Sequence, residues 1–108
     1  MDYQIQTAEP FTVIALSGEV DLKFSPKARE QILKYLGKNK HVLVDLSQVS
    51  YIDSSGVASL VEGLQFAKKK ALRFALVGVS RAAMQVLQIA RLDHVFTIYD
   101  TVSDAQNI

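Results

Sequence analysis

Apolar and polar residues alternate along Tyr3-Gln4-Ile5-Gln6 until Glu9-Pro10 interrupts them. Phe11-Thr12-Val13-Ile14-Ala15-Leu16 alternates more loosely and is rich in β-branched residues. A period of two predicts two strands, joined by a turn from Ala8 to Pro10 and closed at Gly18. The period then changes. Ala28, Ile32 and Leu36 recur every four residues with Leu33 beside them, the buried stripe of a helix. Ser25-Pro26 predicts its start, Ser as N-cap and Pro at the first helical position. Gly37 stands where a helix end favours a left-handed residue. His41-Val42-Leu43-Val44-Asp45-Leu46 is nearly all apolar, as a central strand covered on both faces is. Ser47 to Asp53 is read as a connection. Val57, Leu60, Val61, Leu64 and Ala67 place a second helix from Ser54 or Ser55, closed by the cations Lys68-Lys69-Lys70 at the negative end of its dipole. Leu72 to Val77 predicts a fourth strand, Ser80 caps a third helix, and Val95 to Tyr99 predicts a fifth strand. Thr101 or Ser103 opens a short last helix.

Strands alternating with helices after an initial hairpin indicate an α/β protein with a mixed sheet. With no repeat or linker, residues 1–108 are expected to form a single domain. Hydrophobic residues make up 49% and charged residues 21%, which excludes a disordered chain. Apolar runs fall far short of the roughly 18 residues a membrane span needs, so no membrane insertion is expected. The first residues lack the basic start and apolar core of a targeting segment. A net charge of +1 argues against nucleic acid as a partner, which needs a dense basic footprint. Cysteine is absent, so Cys-based metal, redox and nucleophile chemistry is excluded. A cytoplasmic location is the expectation. His41 and His94 are far apart in the chain, a metal site would need carboxylates gathered from elsewhere, and no metal or cofactor is expected.

One segment stands out for chemistry: Ile52-Asp53-Ser54-Ser55-Gly56-Val57, between a buried strand and a helix. Sites in α/β sheets lie at the carboxyl ends of strands. A helix N-terminus offers free N–H groups and partial positive charge, which would favour a phosphate added to a hydroxyl there. The same residues also make an ordinary N-cap, and both roles can hold at once. One cap residue suffices, yet three candidates stand in a row. A hydrolase elbow, Gly-x-Ser-x-Gly, does not fit, because Ile52 and Asp53 occupy the first glycine position for Ser54 and Ser55. Neither nucleotide-binding glycine pattern is present. The lysine run reads as a solvated helix end.

Val44-Asp45-Leu46 followed by Ile52-Asp53-Ser54-Ser55-Gly56 resembles the signature of STAS domains of the anti-sigma factor antagonist family. Leu16-Ser17-Gly18-Glu19-Val20-Asp21 resembles that family's Gly-Glu-hydrophobic-Asp turn. Phe74 to Val79, Arg91-Leu92 and Val95-Phe96 resemble its third helix region and last strand. The resemblance runs from about Phe11 to Ala105. It implies a mixed sheet of about five strands with about four helices mainly on one face. It also implies a non-enzymatic, phosphorylation-switched binding module. Such proteins bind an anti-sigma factor that is also a serine-protein kinase. They are released when it phosphorylates the motif, and a PP2C-type phosphatase resets them. By motif position the phosphoacceptor is Ser54, with Ser55 as the alternative. Asp21, Asp53, Ser55 and Gly56 form its environment, Gly56 letting the kinase backbone approach.

The partner surface is expected on the second helix and the turn after Gly18: Val57, Ser59, Glu62 and Phe66 with Lys23 and Phe24. Ser59, Glu62, Gln65 and Phe66 are placed away from the core stripe. Phe66 has an alternative reading as a residue packed at the core's edge. Two other functions stay open. One is a non-phosphorylated STAS subunit of a lipid-transport ATPase complex. The other is direct nucleotide binding, which the missing phosphate loop disfavours.

Overall fold

The computed structural model describes residues 1–107. Five strands, β1 (Asp2–Ala8), β2 (Phe11–Val20), β3 (His41–Ile52), β4 (Phe74–Val77) and β5 (Ile98–Tyr99), form one sheet in sequential order. Three helices link the parallel strands, α1 (Ser25–Gly37), α2 (Ser54–Lys69) and α3 (Arg81–Ile89), and α4 (Val102–Gln106) follows β5. β1 runs antiparallel to β2, and every later pair is parallel. The sheet is therefore mixed, as the hairpin pattern predicts.

Register explains the core. Ile5 pairs with Ile14, Ile14 with Val44, Val44 with Leu76, and Leu76 with Ile98. This row lies on the face that packs against Ile32 and Leu36 of α1, Leu60 of α2 and Leu87 of α3. Neighbouring positions point the other way: Val13, Leu43 and Ala75 form a smaller core with Ala105 of α4. Three helices thus cover one face and α4 covers part of the other. The central strands are apolar on both sides for that reason.

Several local expectations change. β3 continues through Ser47–Ile52, which had read as a connection. Beyond Asp45 its register with β2 shifts, and the Asp45 carboxylate accepts the Ser47 N–H at 2.8 Å. Only Val49 and Ile52 of that stretch face the core, so the apolar signal fades although pairing persists. Ser25 is the first residue of α1 rather than its cap. Phe24 holds the cap position without a capping side chain, and Ser25 is buried. Asp21 Oδ1 instead accepts the N–H groups of Lys23 and Phe24, both at 3.1 Å. Gly37 is the last helical residue, and Asn39 takes the left-handed conformation at φ 61°. Lys70 Nζ donates to the carbonyls of Leu36 and Gly37, so one of the three lysines ties the end of α2 to the end of α1. Among the described residues no helix is long and apolar enough to cross a membrane.

Candidate functional site

The carboxyl ends of β2 and β3 meet at Val20 and Ile52, which are paired in register. Chain direction changes immediately after each, into the turn before α1 and into α2. Asp53 joins the two. Its extended backbone (φ −111°, ψ −173°) and side chain make it the N-cap of α2. Oδ1 accepts the N–H groups of Ser55 at 3.0 Å and Gly56 at 3.2 Å, and the Ser55 hydroxyl at 2.5 Å. Oδ2 accepts the N–H of Leu22 at 3.1 Å, 31 positions earlier in the chain. The Ser55 hydroxyl, helped by the backbone N–H groups of Gly56, Ser55 and Leu22, holds the Asp53 carboxyl below the usual carboxylate range. Partial burial opposes them.

The two serines therefore differ. Ser55 is half-buried and its hydroxyl is bonded to Asp53. Ser54 is exposed, and among the described residues its hydroxyl has no protein partner. Ser54 borders a shallow groove of about 550 Å³ with Val57, Ala58 and Val61 of α2, Arg29 of α1, and Leu92.

Three of the backbone donors at the start of α2 are already engaged within the protein. Asp53 Oδ1 holds the N–H groups of Ser55 and Gly56, and the Asp53 carbonyl holds that of Val57 at 3.0 Å. Gly56 has a packing role of its own. It is buried, and a Cβ there would lie 2.5 Å from the Val20 carbonyl oxygen and 2.6 Å from Ile52 Cγ1. The glycine lets α2 start against the ends of β2 and β3. Asp21 lies in the turn that Asp53 holds, but its own Oδ1 is engaged within that turn.

The expected partner residues divide. Ser59 does not point away from the core. It is buried between the helices, its hydroxyl donating to the carbonyls of Ser55 at 3.1 Å and Ser25 at 3.3 Å. Val57 is buried too, with only an edge at the groove. Glu62 is half-exposed and makes a two-pronged ion pair with Arg29 across α1 and α2. This pair raises the Arg29 pKa above its ordinary value, the Glu62 hydrogen bond ahead of its charge. Phe66 is half-buried against the main core, with Lys70 Nζ 5.6 Å from its ring centre. Lys23 is exposed and lies over the half-buried Phe24 ring at 5.3 Å. Two exposed apolar residues near Asp53 carried no periodic signal in the sequence: Leu22, 76% exposed, and Tyr51, 51% exposed. An apolar residue inside a turn that no helix or strand period claims was the available cue for Leu22.

With this geometry in place, comparison with known proteins is informative. Residues 2–105 match the family model described as the STAS domain, and the chain belongs to that family. It is 30% identical over 86 residues to the anti-sigma-B factor antagonist of Listeria monocytogenes, covering 79% of this chain and 75% of that protein. The structure of an anti-sigma-factor antagonist (STAS) domain protein from Planctomyces limnophilus superposes with a TM-score of 0.86 at 26% identity. That match covers 99% of this chain and 97% of the other. The phosphorylated form of SpoIIAA, a Bacillus cell fate determinant, shares the fold with a TM-score of 0.75 at 22% identity, covering 98% and 97%.

Proposed function

We propose that this protein is an anti-sigma factor antagonist whose binding is switched by phosphorylation of Ser54. The unmodified protein docks an anti-sigma factor that is also a serine kinase, and so withdraws that factor from its target. The kinase transfers the γ-phosphoryl group of a nucleoside triphosphate to Ser54. The Ser54 oxygen forms the new bond to phosphorus as the bond to the departing nucleoside diphosphate breaks, and the hydroxyl proton goes to a base on the kinase. The phosphoprotein dissociates, and a PP2C-type phosphatase hydrolyses the ester to restore it.

The observation that carries this reading is the contrast between the two hydroxyls. Ser54 is exposed beside an open groove, whereas Ser55 is held by Asp53. Leu22 and Tyr51 supply exposed apolar contact area near Asp53, and Tyr51 is of the aromatic type enriched at interfaces. A phosphate adds about −1.5 to −2 charge. It would stand next to the Asp53 carboxylate, with the Ser55 and Gly56 N–H groups of α2 already taken. A partner seated there would have to desolvate both, and each 1.4 kcal/mol of lost binding is about tenfold in affinity.

The test uses protein isolated from its native host. Intact and fragment masses are expected to show one phosphate on Ser54, absent from Ser54→Ala, and the unmodified form is expected to copurify with a serine kinase. A phosphate confined to Ser55, or none, overturns the assignment. Copurification with the ATPase of a membrane transporter instead supports the lipid-transport reading.

A further inference from the structure

Adjacent serines pose a selection problem for any kinase, since a shift of one residue along an exposed segment costs little. We propose that Asp53 is the residue that selects between them: its carboxylate withdraws the Ser55 hydroxyl and leaves Ser54 as the sole acceptor. This rests on the phosphorylation reading above and adds a cause for its specificity.

Three observations carry it. The Ser55 hydroxyl donates to Asp53 Oδ1 at 2.5 Å, a charge-assisted bond of the short, strong kind. The same oxygen also accepts the Ser55 and Gly56 N–H groups, so it is fixed to the helix start and moves with Ser55. Its twin, Oδ2, is tied to Leu22, which stops the carboxylate from turning away. To act as an acceptor, Ser55 would have to break its bond to Asp53 and rotate outward from a half-buried site. Ser54 has neither obstacle.

Asp53 is also within reach of the Ser55 hydroxyl to act as the base that activates it. Its lowered pKa speaks against that role, because a carboxylate held well ionised is a poor acceptor of a proton. In phosphoryl transfer to Ser54, the bond made is from Ser54 Oγ to the γ-phosphorus and the bond broken is to the nucleoside diphosphate. The proton leaves to the kinase. Asp53 takes no part in that exchange and acts only by position.

Two substitutions separate selection from folding. Asp53→Gly removes the acceptor while keeping a residue type tolerated at N-caps. Asp53→Asn keeps a carbonyl oxygen that can hold both the helix N–H groups and the Ser55 hydroxyl. Each is expressed in the native host, checked for a cooperative melting transition, and mapped for phosphate by fragment masses. In Asp53→Gly the ratio of Ser55 to Ser54 phosphate is expected to rise by about tenfold, the scale on which one charge-assisted hydrogen bond acts. Asp53→Asn is expected to stay on Ser54. Exclusive Ser54 phosphate in Asp53→Gly overturns the selection and leaves the switch standing, whereas wild-type phosphate confined to Ser55 overturns both the selection and the Ser54 assignment. Absence of phosphate from the wild-type protein overturns both. A measurement needing no kinase stands beside these: the Asp53 carboxyl, titrated by carbon-detected NMR, is expected to rise in midpoint in Ser55→Ala. An unchanged midpoint means that the hydroxyl is not held, and the proposal fails.

Discussion

Replacing Gly56 by alanine tests whether the start of α2 is built as tightly as its geometry indicates. The new Cβ would lie 2.5 Å from the Val20 carbonyl oxygen, 2.6 Å from Ile52 Cγ1 and 3.1 Å from Ile52 Cδ1. The Ile52 side chain can rotate, but the Val20 oxygen cannot retreat. It ends β2 in register with β3 and accepts the Asp53 N–H at 3.4 Å. The helix start must therefore move, which strains the bonds converging on Asp53. Forcing a methyl into a packed site costs about 1–3 kcal/mol, and a backbone obstacle puts this case near the top of that range. Alanine returns about 1 kcal/mol through helix propensity. A net loss of about 2 kcal/mol remains. At roughly 4–8 °C per kcal/mol for a domain of this size, the melting temperature should fall by about 8–16 °C. Gly37→Ala is the matched control. Gly37 is also helical, but a Cβ there meets nothing within 4 Å. It should leave stability unchanged or raise it by up to about 1 kcal/mol. Differential scanning calorimetry on the two variants decides. A Gly56→Ala protein that melts at or above the wild type refutes the close-contact argument.

Ser59→Ala removes one hydroxyl bonded to two carbonyls between α1 and α2, and should cost about 1 kcal/mol, read as a lower urea midpoint. An unchanged midpoint would mean that the contact is inert. Asp53 sets a pH dependence. Its folded pKa lies below the ordinary value, so its stabilisation is complete above the usual carboxylate range and is lost as pH falls through the folded value. Asp53→Asn should flatten the acid limb of stability below about pH 4, in urea titrations at stepped pH. An acid limb as steep as the wild type's would assign it to other carboxylates. Leu22→Ser changes a side chain that is 76% exposed. It should leave the melting curve unaltered and weaken binding of the copurified kinase by about tenfold or more if Leu22 is an interface anchor, measured by calorimetry. Equal affinity would remove Leu22 from the docking surface.

How far the molecule is legible from its sequence depends on the range of the forces involved. Tyr3 to Leu16, Val57 to Ala67 and the Ser80 cap were readable because period and capping are local, and the structure places them as expected. The extension of β3 was not, because Ser47 to Tyr51 are held by pairing with β2, which no property of those residues announces. The same division runs through the site. Asp53 was readable as a cap because its partners lie two and three residues away. The roles of Leu22, Ser59 and Glu62 come from contacts 31 to 34 positions apart in the chain, so their spacing within one helix or turn gave no notice. Gly56 shows the limit most plainly. A glycine at a helix start is compatible with an open approach or a crowded one, and only the position of the Val20 carbonyl distinguishes them.

The placement of donors bears on what kind of switch the proposed phosphate would throw. Phosphates that order a protein do so by capturing N–H groups or arginines that were waiting for them. Around Ser54 several of those groups are committed. Ser55 and Gly56 give their N–H groups to Asp53, Leu22 does the same from the neighbouring turn, and Arg29 across the groove is paired with Glu62. A phosphate on Ser54 would find no vacant partner among these and would stay largely in solvent. Its energy would then fall on the docked complex rather than on the fold, because only a seated partner would strip its water. A domain wired in this way can be switched without refolding. Asp53 is central to that wiring, since one carboxylate already occupies the Ser55 and Gly56 N–H groups at the anion-binding end of the helix.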